Sequence, residues 1–349
     1  MKFIAKNWWK VSLCLIVFGV FVGFLGWTLG GYKSFVYVDK NGIHIADKNA
    51  SDITISETFT DDFFDSVEID IASANIIFVE ATNFGFDLNV SANEGDINWN
   101  LVNNKLVIKN QSPFYSFNLF NFDIYNDHYI YVYYPAGSVF KEIKCVNTSS
   151  DITINSYLQV EKLHLTTVSG KMDLFVADCP IIDLNTASDN INLTTKGFTS
   201  SINVTSISGA VKLNIDECES LVVNSTSDNI NIVGSNKGLV DLKITSISGD
   251  INLKDLLVKN GIINNTSGRI EAHLSFTESF KIESISGDVD VLIEGIVTDY
   301  AYNLSSIAGD VKVNNENRGN KVISERSSGA YPDIYVHTTS GDIKLFFTK

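Results

Sequence analysis

The sequence predicts an all-β fold, a β-solenoid or β-helix of about 20-residue Ser-Gly-Asp repeats, preceded by one N-terminal transmembrane helix. Three observations support this prediction: a Ser-Gly-Asp phrase that returns at a nearly fixed interval, short stretches that alternate apolar and polar side chains, and a single uncharged N-terminal segment. A fixed interval of this kind indicates repeats that must stack, because no single repeat can bury its own apolar face.

The uncharged segment covers residues 11–29, close to the roughly 20 residues that a helix needs to cross a bilayer. Lys2, Lys6 and Lys10 precede it, which favours a cytoplasmic N-terminus and a body outside the membrane. A cleaved signal peptide is the alternative, but its apolar region is usually shorter and is followed by small residues of an A-x-A-like site. We therefore expect residues 1–31 to hold a cytoplasmic N-terminus and a single-pass signal-anchor in the cell membrane.

The next segment, residues 32–66, predicts a membrane-proximal hairpin and tether. Two alternating stretches within residues 36–45 flank Asn41-Gly42, the pair favoured in two-residue hairpin turns. Residues 46–65 are polar and acidic, which is typical of a linker.

Continuous strand patterning begins at Val67 and predicts one β-solenoid domain over residues 67–349. Its N-terminal part, residues 67–147, contains degenerate copies of the repeat at Ser73–Ile76 and Glu94–Ile97 and an aromatic-rich excursion. Regular repeats follow over residues 148–349.

Each regular repeat contains a marker residue, the Gly or Asp that follows the last Ser of the phrase. Ser246-Ile247-Ser248-Gly249-Asp250-Ile251 is the clearest copy. Glycine permits positive φ, and Asp or Asn tolerates it next best, so the marker predicts a tight turn. The markers are Ser150, Gly170, Asp189, Gly209, Asp228, Gly249, Gly268, Gly287, Gly309, Gly329 and Gly341.

The rung of the solenoid has two possible lengths. Markers recur about every 20 residues, which suits two short strands with turns. Alternate copies differ, however, in carrying either Val or Ile before the Ser, or Asn further upstream. A rung of about 39 residues with two similar halves therefore stays open, although the shorter rung is favoured.

The composition restricts the partners. The formal net charge is −15, the pI is about 4.7 and only three residues are Arg. An acidic chain is poorly suited to phosphate backbones, so we expect no nucleic-acid partner.

Cysteine use is low. Cys14 lies in the apolar segment, which leaves Cys145, Cys179 and Cys218 in the body, an odd number that excludes a complete disulfide framework. Cys179 and Cys218 occupy equivalent positions two short repeats apart, so a 20-residue rung predicts free thiols and a 39-residue rung would let them bridge.

Motifs for catalysis and for cofactor or metal binding are absent from the sequence: HExxH, CxxC, GxSxG and the P-loop do not occur. We therefore expect no enzyme, no cofactor and no metal site. Asp recurs after the marker glycine, which predicts an Asx-type turn role or, alternatively, a calcium ladder. The residues concerned are Asp250, Asp288, Asp310 and Asp342.

One aromatic stretch is the candidate partner-contact surface, because exposed apolar patches mark partner or membrane contacts. The alternative is a cap that covers an open end of the solenoid. Its residues are Phe114, Tyr115, Phe117, Leu119, Phe120 and Phe122.

The anchor ending in Gly30-Gly31, the strands of residues 67–78, the Tyr-Val-Tyr-Tyr-Pro strand at 131–135 and the Ser-Gly-Asp repeats together resemble the bacterial adhesin-like family of β-strand-repeat proteins. That family is a domain of unknown function related to LiaG-like envelope proteins. The resemblance covers the chain from about residue 30 onward and implies a membrane-anchored, surface-facing β-solenoid, with no catalytic residues to carry over.

The expected function is therefore that of a non-enzymatic cell-surface protein presenting an acidic β-solenoid for adhesion, binding or envelope sensing. Its partner would be an envelope protein or a glycan. Two alternatives remain open: a carbohydrate-active β-helix enzyme, which would need a cluster of carboxylates at one surface position, and a purely structural spacer.

Overall fold

The computed structural model describes residues 34–39, 42–47, 51–92, 96–110, 128–324 and 332–348. The predicted anchor of residues 1–31 lies outside the described residues. Within the described ranges, no helix is long and apolar enough to cross a membrane. The chain divides into two compact units, which are Met1–Ile53 with Ser91–Ile97 and Asn110–Asn126, and Thr54–Val90 with Asn98–Lys109 and Asp127–Lys349.

The first unit contains the predicted hairpin. Strands β1 (Ser34–Asp39) and β2 (Gly42–Asp47) pair antiparallel, with Asp39 opposite Gly42, so the hairpin prediction is confirmed. The tether prediction is wrong over β3 (Ser51–Phe59). Ile53 and Ile55 alternate there with polar residues, and this period of two favours a strand despite the polar composition.

The second unit consists of parallel strands stacked in two faces. The first-face strands are β4 (Ser66–Ile71), β8 (Lys105–Asn110), β10 (Val139–Ser149), β13 (Ile181–Ser188), β15 (Phe198–Ser208), β17 (Glu217–Ser227), β19 (Leu239–Ser248), β23 (Ala301–Ala308) and β27 (Asp333–Ser340). The second-face strands are β5 (Asn75–Ala81), β9 (Tyr129–Pro135), β12 (Met172–Ala177), β14 (Ile191–Lys196), β16 (Val211–Asn214), β18 (Ile230–Val233), β22 (Val289–Ile293), β24 (Val311–Val313) and β28 (Ile343–Phe347).

Three longer strands bend from the second face of one rung into the first face of the next, so no separate second turn interrupts them. They are β11 (Ile152–Ser169), β20 (Ile251–Ser267) and β21 (Ile270–Ser286). β6 (Phe84–Ala92), β7 (Ile97–Val102), β25 (Glu316–Asn317) and β26 (Lys321–Ile323) lie wholly or mostly in this unit, as does most of β3. A 3-10 turn covers Val297–Asp299.

The strand register settles the length of the rung. Ile202 of β15 pairs with Ile182 of β13 on one side and with Leu221 of β17 on the other. These offsets of 20 and 19 residues confirm the shorter rung and contradict the 39-residue alternative. All three side chains are fully buried, because alternate residues of each strand point between the two faces, where they stack into a continuous apolar core.

The marker turns join the two faces of each rung. Gly249 and Gly268 have φ of 112° and 116°, and the Asp189 and Asp228 markers have φ of 97° and 93°, all in the left-handed range that glycine adopts at no cost. A Cβ on Gly249 would also run into the carbonyl oxygen of Asp228, the marker of the neighbouring rung. Glycine is therefore required here both for its backbone conformation and for close stacking.

The Asp that follows the marker bonds to the next rung rather than to its own turn. Oδ1 of Asp250 accepts the backbone N–H of Arg269 at 2.8 Å, and Oδ1 of Asp288 accepts that of Asp342 at 2.9 Å. Asp342 accepts from Asp310 at 2.9 Å in the same way. The Asx-type turn prediction is therefore wrong about the hydrogen-bond partner, because these carboxylates accept from the backbone of a neighbouring rung and not from their own turn.

At two markers, the presence of Asp instead of Gly is explained by this ladder. Ala210 carries no side-chain acceptor for the next rung, and there the Asp228 marker supplies one, its Oδ1 accepting the N–H of Asn229 at 2.9 Å. Lys171 likewise carries no such acceptor, and at the next marker Oδ1 of Asp189 accepts the N–H of Asn190. The backbone N–H groups of Asn190 and Asn229 therefore each keep a hydrogen-bond partner.

The rungs do not stack in chain order at the C-terminal end. Ser340 of β27 pairs with Ser286 of β21 and with Ala308 of β23, so β27, which comes last in the chain among the first-face strands, enters between two earlier rungs. Gly341 accordingly lies between Gly287 and Gly309, although it follows both in the chain. The predicted marker Gly329 lies outside the described residues.

The N-terminal end has the same arrangement. Val67 of β4 pairs with Leu106 of β8 and with Ile143 of β10. Of the degenerate copies, Ser73–Ile76 does stack beside the Ser150 turn. The copy at Glu94–Ile97 falls partly outside the described residues; its last residue, Ile97, begins β7, and the outer neighbour of β4 is β8.

Antiparallel strands close both ends of the stack. β6 pairs antiparallel with β9, β26 with β23, and β25 with β24. These short strands satisfy edges that could otherwise pair with another chain.

We predict that Gly249→Ala lowers the free energy of unfolding by about 1–3 kcal/mol, from left-handed strain together with the collision at Asp228. The matched control is Gly238→Ala, where φ is 120° but no atom lies within 4 Å of the added Cβ. Denaturant midpoints of the two variants check this. Equal losses would show that close stacking at the marker contributes nothing.

We predict that the body cysteines are unreactive in the folded protein. Cys145, Cys179 and Cys218 are free and buried; burial raises the pKa of Cys179 to about 12 and that of Cys218 to about 11. Alkylation at neutral pH should therefore require unfolding. Because these folded-state pKa values exceed the ordinary 9.0, stability should fall as pH rises above about 9. Peptide mapping of the alkylated protein checks the reactivity of the three thiols, and a Cys179–Cys218 disulfide would contradict the prediction that they are free.

Candidate functional site

The partner-contact surface predicted from the sequence falls within residues 111–127, outside the described residues. Its members are Phe114, Tyr115, Phe117, Leu119, Phe120 and Phe122. The candidate site that the described residues form is instead a groove near the N-terminal end of the stack.

This groove, here named the tyrosine groove, has a volume of about 530 Å³. Successive rungs contribute the lining residues at the level where the second-face strands end, and β11 contributes both Tyr157 and Gln159. The stack therefore brings together residues that are widely separated in the chain. Its principal residues are Glu80, Tyr157, Gln159, Asp178, Lys196 and Asp216.

Tyr157 is the most prominent side chain of the groove, with 50% of its surface exposed. The pairing of β11 with β12 shifts register between Ile154 and Leu158, and such an irregularity can redirect a side chain out of the strand alternation. The Tyr157 ring contacts Phe175 edge-on, at 5.9 Å between centroids. Nζ of Lys196 lies 5.4 Å from its centroid, within range of a cation–π interaction.

Asp178 places a carboxylate beside the aromatic pair. It has a φ of 46°, and its backbone N–H donates to the Lys196 carbonyl at 2.9 Å. The side-chain amide of Gln159 donates to Oδ2 of Asp178 at 3.4 Å. The carboxylate lies so close to Gly197 that a Cβ there would collide with it. Glycine at this position therefore allows the Asp178 carboxylate to occupy the groove.

Asp216 is held ionised. Lys237 approaches its Oδ1 to 2.7 Å, and the N–H of Gly197 donates to its Oδ2 at 2.9 Å. These contacts, Lys237 first, hold the pKa of Asp216 below its ordinary value. A carboxyl group with a lowered pKa is poorly suited to act as a general acid.

The floor of the groove is apolar and closed. Tyr134 is buried, and its hydroxyl lies 2.5 Å from Oγ of Ser156. Burial raises the pKa of Tyr134 above its ordinary value, so this hydroxyl stays protonated. Leu158 and Ala177 line the groove beside it and are also buried.

A second concave surface, of about 490 Å³, lies on the first face. His164 Nδ1 approaches Asp183 Oδ2 to 2.9 Å, and Asn203 donates to Asp183 Oδ1 at 2.8 Å. Glu142 and Lys144 complete it. These polar groups partner one another and no aromatic side chain lines the surface, so the tyrosine groove is the stronger candidate.

The tyrosine groove therefore combines an exposed ring, a carboxamide and carboxylates on rigid strands. Such a combination can stack on an apolar ligand face and accept hydrogen bonds from ligand hydroxyl or amino groups. Among the described residues, no group of three or more His, Cys, Asp or Glu side chains is arranged to hold a metal ion. Sequence reasoning missed the groove; the only local signal was the break in alternation ahead of Tyr157.

A family model described as Toastrack DUF4097 matches residues 41–346. No curated protein matches the chain.

Solved structures resemble the chain weakly. One from Parabacteroides distasonis, described as a putative lipid binding protein, has 12% identity and a TM-score of 0.43, covering 85% of this chain and 98% of its own. One from Parabacteroides merdae, described as a putative adhesin, has 13% identity and a TM-score of 0.42, covering 86% and 98%. Another putative adhesin, from Bacteroides fragilis, has 13% identity and a TM-score of 0.36, covering 85% and 98%. Likeness at this level carries no argument about what the chain binds.

Proposed function

This chain belongs to the Toastrack DUF4097 family, and we propose that it is a non-enzymatic cell-surface protein that binds its ligand through the tyrosine groove. The family is a domain of unknown function, so the proposal rests on the site. The single observation that carries it is the half-exposed Tyr157 beside Asp178 and Gln159 in a groove built on strands. An aromatic ring left half in water on a rigid scaffold is typical of a contact surface.

The proposed protein is a single-pass membrane protein with a β-solenoid outside the cytoplasm. The uncharged residues 11–29 and the preceding lysines support a retained signal-anchor. The net charge of −15 supports a surface that repels anionic polymers.

A purely structural spacer is a weaker proposal. A spacer needs only the regular rungs, whereas the groove lies where the β11–β12 register is irregular. A carbohydrate-active enzyme is favoured by one specific observation, the three carboxylates Glu80, Asp178 and Asp216 lining one groove. The lowered pKa of Asp216 makes it unsuitable as the general acid, the carboxyl group for which glycoside hydrolysis requires a raised pKa, and leaves it only the role of the ionised carboxylate.

We predict that the body is extracytoplasmic. Protease added to cells whose wall has been removed should digest the body and leave a short membrane fragment carrying residues 11–29. A tag on the N-terminus identifies that fragment by immunoblot. Full-length protein that survives the protease until the membrane is permeabilised would reverse the proposed orientation.

We predict that Tyr157→Ala weakens attachment of cells that display the full chain to a layer of cells that lack it, by at least severalfold in the number retained under flow. The half-exposed ring can be removed with little effect on folding. Tyr335→Ala is the matched control, because Lys281 also lies over that ring, at 5.5 Å, on a distant rung. Retention that is equal in the two variants would count against the groove.

A further inference from the structure

The tyrosine groove continues into a row of three tyrosines on the outermost second-face strand. Tyr129, Tyr131 and Tyr133 alternate along β9 with Ile130 and Val132, which are fully buried, so the three rings lie on the outer side of the sheet. The centroids of the first two rings are 4.9 Å apart, and those of the second two are 6.1 Å apart with the rings nearly parallel.

The strand register relates this row to the groove. Tyr131 and Tyr133 pair with Ile77 and Val79 of β5, both half-buried, and β5 pairs in turn with the start of β11. Two strand steps, each about 4.8 Å, therefore separate the tyrosine row from the rung that bears Tyr157. The next step carries Phe175, which contacts Tyr157. We name this surface the aromatic strip; it consists of Tyr129, Tyr131, Tyr133, Ile77, Val79, Tyr157 and Phe175.

Hydrogen-bonding groups flank the aromatic strip at both ends. Beside the tyrosine row, Asp87 accepts the hydroxyl of Tyr133 at 2.9 Å. Asn89, which pairs with Tyr129, has a buried Oδ1 without a hydrogen-bond partner. Beside Tyr157, Gln159 and Asp178 face the groove. The strip thus offers stacking surfaces bordered by planar acceptor groups, and one of those acceptors is unsatisfied.

These features match the chemistry of a saccharide chain. The C–H faces of pyranose rings stack on aromatic side chains, and their equatorial hydroxyls donate to carboxylates and carboxamides. In an extended β-1,4-linked chain, the length of one sugar is similar to the distance between adjacent strands. Successive sugars can therefore contact successive rungs. An anionic chain is disfavoured, because Glu80, Asp178 and Asp216 outnumber Lys196 in the groove.

We propose that the aromatic strip binds a neutral, extended β-1,4-linked glycan that runs obliquely across the strands from the tyrosine row into the tyrosine groove. Tyr131 is level with Thr153 of β11 through Ile77, so Tyr157 lies two strands away and further along the strand direction. This inference rests on the proposed binding function and names its ligand class. The tyrosine row and Tyr157 contact separate sugars of one chain. Binding therefore requires an oligosaccharide long enough to span both.

The test is calorimetric titration of the detergent-solubilised full chain with cellohexaose, chitohexaose, cellobiose, maltohexaose and a hyaluronan hexasaccharide. Binding of at least one neutral β-1,4 hexamer is expected. Cellobiose, which is too short, maltohexaose, which is α-linked and curved, and the anionic hyaluronan should each bind at least tenfold more weakly. Tyr131→Ala and Tyr157→Ala should each raise the Kd for the hexamer at least tenfold, while Tyr335→Ala leaves it unchanged.

The outcomes separate the glycan from the proposed function. If no hexamer binds while cell attachment still depends on Tyr157, the proposed ligand class is wrong and the proposed binding function stands. A peptide ligand then becomes the next hypothesis. Hexamer binding that survives both tyrosine substitutions, in variants whose thermal unfolding is unchanged, overturns the assigned surface. Release of shorter sugars that is lost in Glu80→Gln would establish the enzyme instead.

Discussion

The close stacking of backbones at the marker turns is the constraint on which the rest of the structure depends. Each rung passes from one face to the other at a turn whose neighbours lie one strand step away, about 4.8 Å. At Gly209, Gly249 and Gly287, a Cβ would meet the carbonyl oxygen of the adjacent marker. The turn must therefore be narrow and nearly identical in every rung, which holds the rung near 20 residues and keeps the apolar side chains in register across the core.

The hydrogen bonds at these turns explain why the repeat varies as it does. A carboxylate or carboxamide after the marker accepts an N–H from the following rung, as Asp250 does for Arg269. Where that acceptor is missing, as at Ala210, the next marker is Asp228 rather than glycine. The alternation between Gly and Asp markers that suggested a 39-residue rung therefore reflects which residue provides the acceptor for a backbone N–H at the turn. The strands themselves stack with the shorter period.

The candidate site lies where the regular pattern breaks. Rungs that follow the repeat closely bury most of their apolar residues, and the apolar side chains that they do expose, such as Ile207 and Ile247, recur at the same position of the turn. The irregular register before Leu158 turns Tyr157 outward, and the outermost rung presents Tyr129, Tyr131 and Tyr133. A scaffold of uniform rungs thus holds the aromatic strip rigid, and preorganisation of this kind reduces the entropic cost of binding.

The sequence by itself determined the all-β class, the short rung and the hairpin around Asn41-Gly42, because these depend on local patterning and on the chemistry of single turns. The partner of the Asp250 carboxylate, an N–H of the next rung, depends instead on how the rungs stack. Tertiary structure alone decided the order of the rungs and the composition of the groove. Gly341 enters between Gly287 and Gly309 although all three markers have the same local signal. Glu80, Tyr157 and Asp178 line one groove because residues that are far apart in the chain lie on neighbouring strands of the stack. A pattern that repeats in every rung carries no information about which rungs become neighbours.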